Sequence, residues 1–356
     1  MGDADIRIYV VKMRGTIKWL TISLMVSIIA IIIVLILTVT DETIGSLARI
    51  RPEYLILAFG VRVVTWLLWG IRIQVMTNVV GRKLSMLQSL KIVLCGVFAA
   101  GVTPSYVGGT PVRIYLLNRE GMTIGDAALV DLVCRSLDGL VIGMAFPFAW
   151  FMFRDLIRPN IVLSSTFTIL GVLFSIGFVL GLYAVTHQEK VEQHLERLSK
   201  SELMRRITFD RSESIASRIV LEMDNFRVGL FRCIKEEKKS LFVVILCSIA
   251  FWLLLFIMPS LVLLGLDADP IWIQSMSVQV ILMVAVMLPI APGGSGIAEL
   301  GSASLYATVL PTENLQIIGI FVLVWRFVMY YTNLIVGGAV SLKVLQDIDL
   351  TSLSGD

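Results

Sequence analysis

The chain contains few histidines and cysteines, and their arrangement excludes several kinds of chemistry. Its 356 residues include only two histidines, His187 and His194, and four cysteines that form no CxxC pair. Neither an HExxH zinc motif nor a phosphate-binding loop occurs in the sequence. Zinc-dependent hydrolysis and ATP hydrolysis therefore have no recognisable site, and we expect free thiols, no metal and no cofactor.

Charged residues are also scarce, at 16% of the chain against 57% hydrophobic residues. Soluble domains are usually about 45 to 50% apolar, so this composition predicts a polytopic membrane protein. The formal net charge is only +3, and lysines and arginines in such a protein are better read as markers of membrane topology than as a nucleic-acid footprint. We expect no nucleic-acid partner.

Six apolar runs approach the roughly 20 residues that are needed to cross a bilayer core. The first run is longer than a signal-peptide core and is followed by no small-residue cleavage site, so we expect it to be retained as a helix. The sequence predicts an all-α polytopic membrane protein with six full transmembrane helices: Ile17 to Val39, Tyr54 to Asn78, Asp126 to Phe153, Ile161 to Val185, Leu241 to Leu264 and Leu315 to Leu342.

Two shorter apolar runs, 86–103 and 271–289, each end at a proline and a pair of glycines. Short apolar stretches follow at 111–117 and 296–310, which predicts two re-entrant hairpins. Broken helices expose backbone amides that lipid cannot satisfy, so breaks at membrane depth are typical of transporter sites. The alternative is a turn that only reverses the chain. The predicted backbone positions of the breaks are Pro104, Gly108, Gly109, Pro289, Pro292, Gly293 and Gly294.

The distribution of basic residues predicts how the chain is oriented. Lysine and arginine collect in short cytoplasmic loops, and counting both hairpins as non-crossing puts most of them on one side, including the basic stretch 190–239. The prediction is a multi-pass protein of the cell membrane with cytoplasmic N- and C-termini. Residues 1–356 form a single membrane domain, in which the halves 54–153 and 241–343 are inverted repeats.

The polar segment 187–240 carries apolar residues at helical spacing, which predicts amphipathic helices on the cytoplasmic membrane surface. This segment is either a connector between the halves or a regulatory or partner-binding element.

Three charged residues within one membrane helix are candidates for chemistry. Asp131, Arg135 and Asp138 occupy positions i, i+4 and i+7, so they share one helix face. An arginine near the bilayer centre costs about 2.5 to 3.5 kcal/mol on insertion scales, so this face must look into protein or water. Either the arginine is held ready for an anionic headgroup, or the three residues form an intrahelical ion pair that neutralises itself.

The second half repeats this spacing with Arg326, Tyr330 and Asn333, but its helix face carries no carboxylate. Arg326 therefore needs a partner from elsewhere, and Glu299, five residues beyond Gly294, is the predicted one.

In the first half, Arg113 follows Gly109 by four residues and has the opposite charge to Glu299. We predict that it pairs with Asp131 or Asp138, and that both pairs form a polar centre between the halves. A guanidinium suits a lipid phosphate because its planar donor fork binds two oxygens. The predicted headgroup-binding residues are Arg113, Arg135, Asp131, Asp138, Glu299, Arg326, Tyr330 and Asn333.

Two further arginines, Arg62 and Arg72, lie in the predicted second span beside Trp66 and Trp69. We expect each of them to reach a water interface by snorkelling, and the two tryptophans fit an ordinary packed or interfacial helix. A functional role for either arginine is the alternative.

The motifs resemble those of the lysylphosphatidylglycerol synthase transmembrane-region family, a group of flippase-like integral membrane domains. The similar stretches are Thr103 through Arg113, Arg135 through Asp138, and Leu288 through Glu299. The resemblance implies a domain that moves a charged phospholipid between leaflets. Two-part synthases of this family continue into a soluble aminoacyl-transferase domain, so we expect a stand-alone member without that domain, which depends on a separate lipid-synthesising enzyme.

The predicted function is that of a flippase-like lipid translocase, not an enzyme, with anionic or phosphate-bearing membrane lipids as partners. Coupling to protons through Asp131, Asp138 or Glu299 and downhill transport both remain open. An intramembrane lipid transferase or phosphatase that uses the same three carboxylates as acid and base is one alternative. A membrane scaffold that transports nothing is another.

Overall fold

The computed structural model describes residues 50–103, 106–157, 235–286 and 293–353, together with isolated positions among residues 25–36 and 171–179 and at Cys233. This described part of the chain is helical and contains no strand. The predicted spans Ile17 to Val39 and Ile161 to Val185, and most of the predicted segment 187–240, lie outside the described residues. For the described ranges, the all-α class is confirmed.

Three of the four helices of the first half begin at residues that favour a helix start. Pro52 lies in the first turn of the first helix, where the absence of a backbone N–H costs nothing. The Ser85 hydroxyl accepts a hydrogen bond from the Gln88 amide at 3.2 Å, and the Thr123 hydroxyl accepts one from the Asp126 amide at 3.0 Å. The helices are α1 (Pro52–Val79), α2 (Met86–Gly101), α3 (Gly109–Arg119) and α4 (Ile124–Ile157).

The second half has helices of similar length in the same order. Its first three contain 28, 15 and 13 residues, and those of the first half contain 28, 16 and 11. The last stretch is irregular, because a 3-10 turn (Thr312–Ile317) precedes it and a π-helical segment (Phe327–Tyr331) interrupts it. The α-helices are α5 (Lys238–Gly265), α6 (Trp272–Val286), α7 (Ile297–Val309), α8 (Ile318–Arg326) and α9 (Thr332–Leu353).

Three helical stretches of the described chain are long and apolar enough to cross a membrane: Pro52–Val79, Lys238–Gly265 and Thr312–Asp347. They coincide with three of the predicted spans, and α4 covers a fourth predicted span as one helix of 34 residues. Helices α2 and α6 are apolar but shorter. At 1.5 Å per residue they measure about 24 and 22 Å, which is less than the roughly 30 Å of a bilayer core.

Helices α2 and α3 run antiparallel and form the first hairpin (86–119). At its base the Gln88 side chain donates a hydrogen bond to Glu120 at 2.8 Å. Nearer the tip, an added Cβ on Gly109 would lie 2.9 Å from the Gly96 carbonyl oxygen, so the two helices pass in direct backbone contact. The chain therefore enters and leaves this hairpin at the same end.

Helices α6 and α7 form the second hairpin (272–309) in the same way. The Tyr306 hydroxyl hydrogen-bonds the Ser275 hydroxyl at 3.1 Å near the base. Closer to the tip, a Cβ on Gly301 would lie 3.0 Å from the Leu282 side chain. The residues between each pair of helices, 102–108 and 287–296, are the two hairpin tips; residues 104, 105 and 287–292 of these tips lie outside the described residues.

The described residues form two main apolar cores, each dominated by one half and each including some residues of the other half. One core includes Ile73, Val93 and Leu129 from the first half, and the other is centred on Met258 and Phe321 in the second half, with a few residues of α1 and α4. A small third cluster, Val102, Tyr330 and Leu334, lies where the first hairpin tip meets the second half.

The two halves contact each other mainly through three pairs of helices. The Arg51 amide, beside the start of α1, donates a hydrogen bond to the Gly265 carbonyl at the end of α5 at 2.9 Å, and the Trp69 and Phe251 ring centroids are 5.7 Å apart, so α1 and α5 lie side by side and antiparallel. Helix α2 packs on α9, and α6 packs on α4. The first helix of each hairpin thus contacts the last helix of the opposite half.

Candidate functional site

The first predicted ion pair is present, and Asp131 is the acid that Arg113 contacts. The Arg113 Nε donates to one Asp131 oxygen, and its NH2 group lies 3.3 Å from the other. Both side chains are buried, with 0% and 1% exposure. The Arg113 guanidinium carbon also lies over the Trp69 ring, 5.1 Å from its centroid, which is a cation–π contact. The pair joins α3 of the first hairpin to α4.

Gly96 on α2 makes room for the Arg113 side chain. A Cβ at position 96 would lie 2.7 Å from the Arg113 Cγ and 2.8 Å from its NH1 atom. Real Cβ contacts are not this short, so only glycine leaves the path from the α3 backbone to Asp131 open. The close helix contact and the buried ion pair therefore depend on the same residue.

Arg135 shares the Asp131 carboxylate with Arg113. Its Nε lies 3.3 Å from the second Asp131 oxygen, one helical turn away, but its side chain is 41% exposed. One carboxylate thus serves two guanidinium groups, one buried and one accessible. The accessible cation is only partly neutralised, which is the electrostatic condition for binding an anion.

The second predicted ion pair is present as well. Arg326 Nε lies 2.8 Å from a Glu299 oxygen, and Glu299 is fully buried. The other Glu299 oxygen accepts a hydrogen bond from the Gly296 amide at 2.7 Å, so the carboxylate also caps the start of α7. Arg326 NH2 lies 3.5 Å from the Ser295 hydroxyl, and the Tyr330 ring centroid lies 4.1 Å from the guanidinium carbon.

The two pairs have opposite polarity along the chain. In the first half the hairpin supplies the cation, Arg113, and the following helix supplies the acid, Asp131. In the second half the hairpin supplies the acid, Glu299, and the following helix supplies the cation, Arg326. Both pairs fasten the returning helix of a hairpin to the helix after it.

Asp138 does not belong to the Arg113 pair. It lies 2.9 Å from Arg72 NH2 and accepts a hydrogen bond from the Trp252 indole at 2.9 Å. Arg72 also donates to the Cys134 carbonyl at 2.6 Å. Asp138 lies two helical turns beyond Asp131 on α4. Its partners Arg72 and Trp252 belong to α1 and α5, so Asp138 links these two helices to α4.

The tips of the two hairpins meet. The Tyr106 hydroxyl donates a hydrogen bond to the Gly293 carbonyl at 2.8 Å, and the Gly293 amide donates to the Thr103 carbonyl at 3.3 Å. The Tyr330 hydroxyl completes the junction by donating to the Gly101 carbonyl at 3.1 Å. The non-helical backbone of each tip is therefore satisfied in part by the opposite half.

Two residues at this junction have left-handed backbone conformations. Tyr106 has a φ of 57°, which is strained for a residue with a side chain, and Gly293 has a φ of 58°. A Cβ at position 293 would lie 2.7 Å from the Gly101 carbonyl oxygen and 2.7 Å from the Tyr330 hydroxyl. Gly293 is thus required both for its conformation and for the closeness of the contact.

Both predicted ion pairs are present, but only the Arg326 pair lies near the boundary between the halves. The partners described for Arg113, namely Asp131, Thr110 and Trp69, all lie in the first half. Arg326 borders the junction, because its guanidinium carbon lies 4.1 Å from the ring centroid of Tyr330, and the Tyr330 hydroxyl donates to the Gly101 carbonyl of the first half. The hairpin tips, rather than both ion pairs, join the halves.

Arg326, Tyr330 and Asn333 do not share one partner. The π-helical segment Phe327–Tyr331 changes the helical repeat between them, so Arg326 and Tyr330 are in contact while Asn333 turns towards α1. The Asn333 side-chain oxygen accepts hydrogen bonds from Arg62 NH2 at 2.6 Å and from the Trp66 indole at 3.0 Å.

The expectation that Arg62 and Arg72 snorkel to an interface is wrong. Arg62 is 6% exposed and Arg72 is fully buried, and both bind partners within the helix bundle. An arginine within an apolar run is a signal of a functional or structural role, but no sequence pattern identifies the partners of Arg62 and Arg72. No sequence signal marked Tyr106 or Gly96.

Some predicted positions lie outside the described residues. Of the predicted hairpin backbone residues, these are Pro104, Pro289 and Pro292. The described residues contain no group of three or more histidine, cysteine or acidic side chains that would hold a metal ion. All four cysteines are free.

A comparison with protein families matches residues 21–337 to the lysylphosphatidylglycerol synthase transmembrane region. The chain belongs to this family. Lysylphosphatidylglycerol synthase transmembrane-region proteins are membrane proteins, and the long apolar helices described above agree with that placement.

Relatives with curated descriptions are archaeal. The chain is 29% identical over 317 residues to a UPF0104 membrane protein of Archaeoglobus fulgidus, covering 89% of this chain and 94% of the relative. UPF0104 membrane proteins of Methanothermobacter thermautotrophicus and Pyrococcus horikoshii are 23% and 22% identical, over 72% and 85% of this chain and 74% and 90% of their own lengths. No solved structure matches the chain.

Proposed function

We propose that this protein moves a phosphate-bearing lipid between the leaflets of the membrane. One observation carries the proposal: the non-helical tips of two short hairpins meet inside an otherwise apolar helical body. Non-helical backbone at membrane depth is tolerated where protein or a water-filled cavity receives it, and discontinuous helices of this kind form the substrate sites of many transporters.

The proposed arrangement is an inverted repeat with six full spans and two hairpins that enter from opposite sides of the bilayer. Helices α1 and α5 hold corresponding places in the two halves, and their antiparallel packing supports the inversion. The short lengths of α2 and α6 support re-entrant hairpins rather than further crossings. The distribution of basic residues supports cytoplasmic termini in the cell membrane.

Arg135 is the proposed first contact for the headgroup. It lies 11 residues after the start of α4, which corresponds to roughly 17 Å along the helix and therefore to a depth near the middle of the apolar core. An accessible guanidinium at that depth is costly unless an anion accompanies it, and Asp131 is shared with Arg113. A phosphate would complete the charge balance and accept two hydrogen bonds from the guanidinium fork.

The arginine partners of the three carboxylates favour transport over the enzyme alternative. Asp131, Asp138 and Glu299 are each bound to an arginine, and Glu299 also caps α7. An acid or base catalyst needs a proton that moves to and from the reacting group, and carboxylates held by guanidinium groups are poorly suited to that role. In the proposed function these pairs hold the hairpins in place.

The family description supports a phospholipid as the cargo, because it refers to a lysylphosphatidylglycerol synthase. We infer that the membrane partner is an anionic or phosphate-bearing lipid and that a separate enzyme supplies it.

The proposal is tested with purified protein in liposomes that contain fluorescent phosphatidylglycerol, by following the headgroups that become accessible to an external quencher. We expect wild-type protein to move the label and the Arg135→Gln variant to slow this at least about tenfold, which corresponds to about 1.4 kcal/mol. The Arg51→Gln variant is the matched control, since Arg51 forms a half-exposed ion pair with Asp267 away from the junction. Equal rates for wild type and Arg135→Gln would refute the site, and protein-free rates for wild type would refute the function.

A further inference from the structure

Arg62 differs from the other buried arginines, because the described residues offer it no carboxylate. Its NH2 group donates to the Asn333 oxygen at 2.6 Å, and its NH1 group lies 3.3 Å from the Thr65 hydroxyl. Its Nε is buried and has no hydrogen-bond partner among the residues that the structure describes. The Trp66 ring centroid lies 5.5 Å from the guanidinium carbon. All of these neighbours are neutral.

The comparison with the other arginines makes the difference clear. Buried Arg72, Arg113 and Arg326 each contact an acid, which offsets the cost of removing a charge from water. Neutral hydrogen-bond partners and an aromatic face offset only part of that cost. Within the described part of the helix bundle, the positive charge of Arg62 is therefore not compensated by an acid.

The position of this charge coincides with the hairpin junction. Arg62 lies ten residues into α1, or roughly 15 Å along the helix, which is half the thickness of a bilayer core. Asn333, which accepts a hydrogen bond from Arg62, lies three residues after Tyr330, whose hydroxyl donates to the Gly101 carbonyl at the junction. Asn333, which orients the guanidinium, lies two residues after the end of the π-helical segment of the second half. Irregular helical turns of this kind are frequent at functional sites.

We propose that Arg62 forms an anion subsite that binds the phosphate group of the transported lipid at the hairpin junction. This inference deepens the proposed function and rests on it for the lipid nature of the ligand. Asn333 accepts hydrogen bonds from Arg62 NH2 and the Trp66 indole, and so fixes one edge of the guanidinium. The edge that carries the unpartnered Nε is the one that donates to a phosphate oxygen.

The subsite predicts an unusual response to neutralisation. In the Arg62→Gln variant the uncompensated charge is gone, so the ligand-free protein should unfold at the same temperature as wild type or a higher one. A residue that only supports the fold would behave in the opposite way. The added stability that a bound phosphate gives to wild type should be lost.

The experiment measures thermal unfolding of wild type, Arg62→Gln and Arg51→Gln in detergent, titrated separately with inorganic phosphate and with short-chain phosphatidic acid. We expect phosphatidic acid to stabilise wild type and Arg51→Gln at concentrations at least about tenfold lower than inorganic phosphate does. We expect Arg62→Gln to need at least about tenfold more of either ligand for the same shift.

The outcomes separate this inference from the proposed function. Unchanged ligand-induced shifts in Arg62→Gln would overturn the subsite, whatever the transport assay gives. Equal potency of inorganic phosphate and phosphatidic acid would overturn the lipid assignment. If Arg62→Gln loses the shift while wild type fails to move lipid in liposomes, the subsite is supported and the proposed function is wrong.

Discussion

Tyr106 donates a hydrogen bond to the carbonyl oxygen of Gly293 across 187 positions of sequence, at 2.8 Å. The second half returns the contact, because Tyr330 donates to the carbonyl of Gly101 at 3.1 Å. Each hairpin break is thus bound by a tyrosine from the other half. Any motion that opens the junction must break this reciprocal pair, so the two breaks are expected to open together.

A methyl group added at Gly293 should disrupt the contact between the two hairpin tips. In Gly293→Ala the new Cβ would clash with the Gly101 carbonyl and Tyr330, and a left-handed alanine costs about 1 to 2 kcal/mol by itself. We expect transport to be lost and the thermal unfolding midpoint to fall. Gly60→Ala is the control, because a Cβ there has no atom within 4 Å. Similar behaviour of the two variants would contradict the junction geometry.

Removing one hydroxyl tests the reciprocal pair more gently. Tyr106→Phe keeps the ring but loses the hydrogen bond to Gly293, so we expect a stability loss of about 0.5 to 1.5 kcal/mol and a changed rate of lipid movement. Tyr115→Phe, on an exposed face of the first hairpin, should change neither quantity. The check is a denaturation series combined with the liposome assay. A Tyr106→Phe protein with wild-type stability and rate would rule out the proposed role of this reciprocal tyrosine pair.

The Glu299 and Arg326 pair should behave as a buried ion pair. Glu299→Gln keeps an oxygen that can accept from the Gly296 amide, so it isolates the loss of charge. Removing one partner of such a pair typically costs about 3 to 5 kcal/mol, and we expect that loss for Glu299→Gln. The double variant with Arg326→Met should recover part of it, because neither charge remains unpaired. Additive losses in this double-mutant cycle would exclude the direct interaction.

Arg135 and Arg72 should separate function from stability. The Arg135 side chain is 41% exposed, so Arg135→Gln should lower stability by less than about 1 kcal/mol while it impairs lipid movement. Arg72→Gln leaves the Asp138 carboxylate with only the Trp252 indole among its described partners, so we expect a loss of several kcal/mol. Thermal unfolding of both variants in detergent is the measurement. A severe loss in Arg135→Gln would mean that this arginine serves the fold.

The helices and breaks were accessible to sequence reasoning because their causes are local. The apolar runs predict α1 and α5 within three residues at each end, since the bilayer sets their length. Paired glycines mark both tips because a chain reversal with close backbone contact favours residues without a side chain. The residues of the ion pairs at Arg113 and Arg326 followed from the rule that a buried charge needs an opposite charge nearby.

The remaining contacts depend on packing between helices far apart in sequence. Arg72 and Asp138 are 66 residues apart in the sequence, and Arg62 and Asn333 are 271 residues apart, so no local sequence pattern connects the members of either pair. The π-helical segment rotates Asn333 away from Arg326, and regular helical spacing does not foresee this. Tyr106 became part of the junction only through the meeting of the two tips.

The most direct test of the central claim compares two fluorescent lipids with identical tails in the same liposomes, one with a phosphate in its headgroup and one with a neutral, phosphate-free headgroup. The account predicts that wild-type protein moves the phosphate lipid at least about tenfold faster than the neutral lipid, because the guanidinium groups at Arg135 and Arg62 bind only the former. Equal rates for the two lipids, or no protein-dependent movement of either, would contradict it.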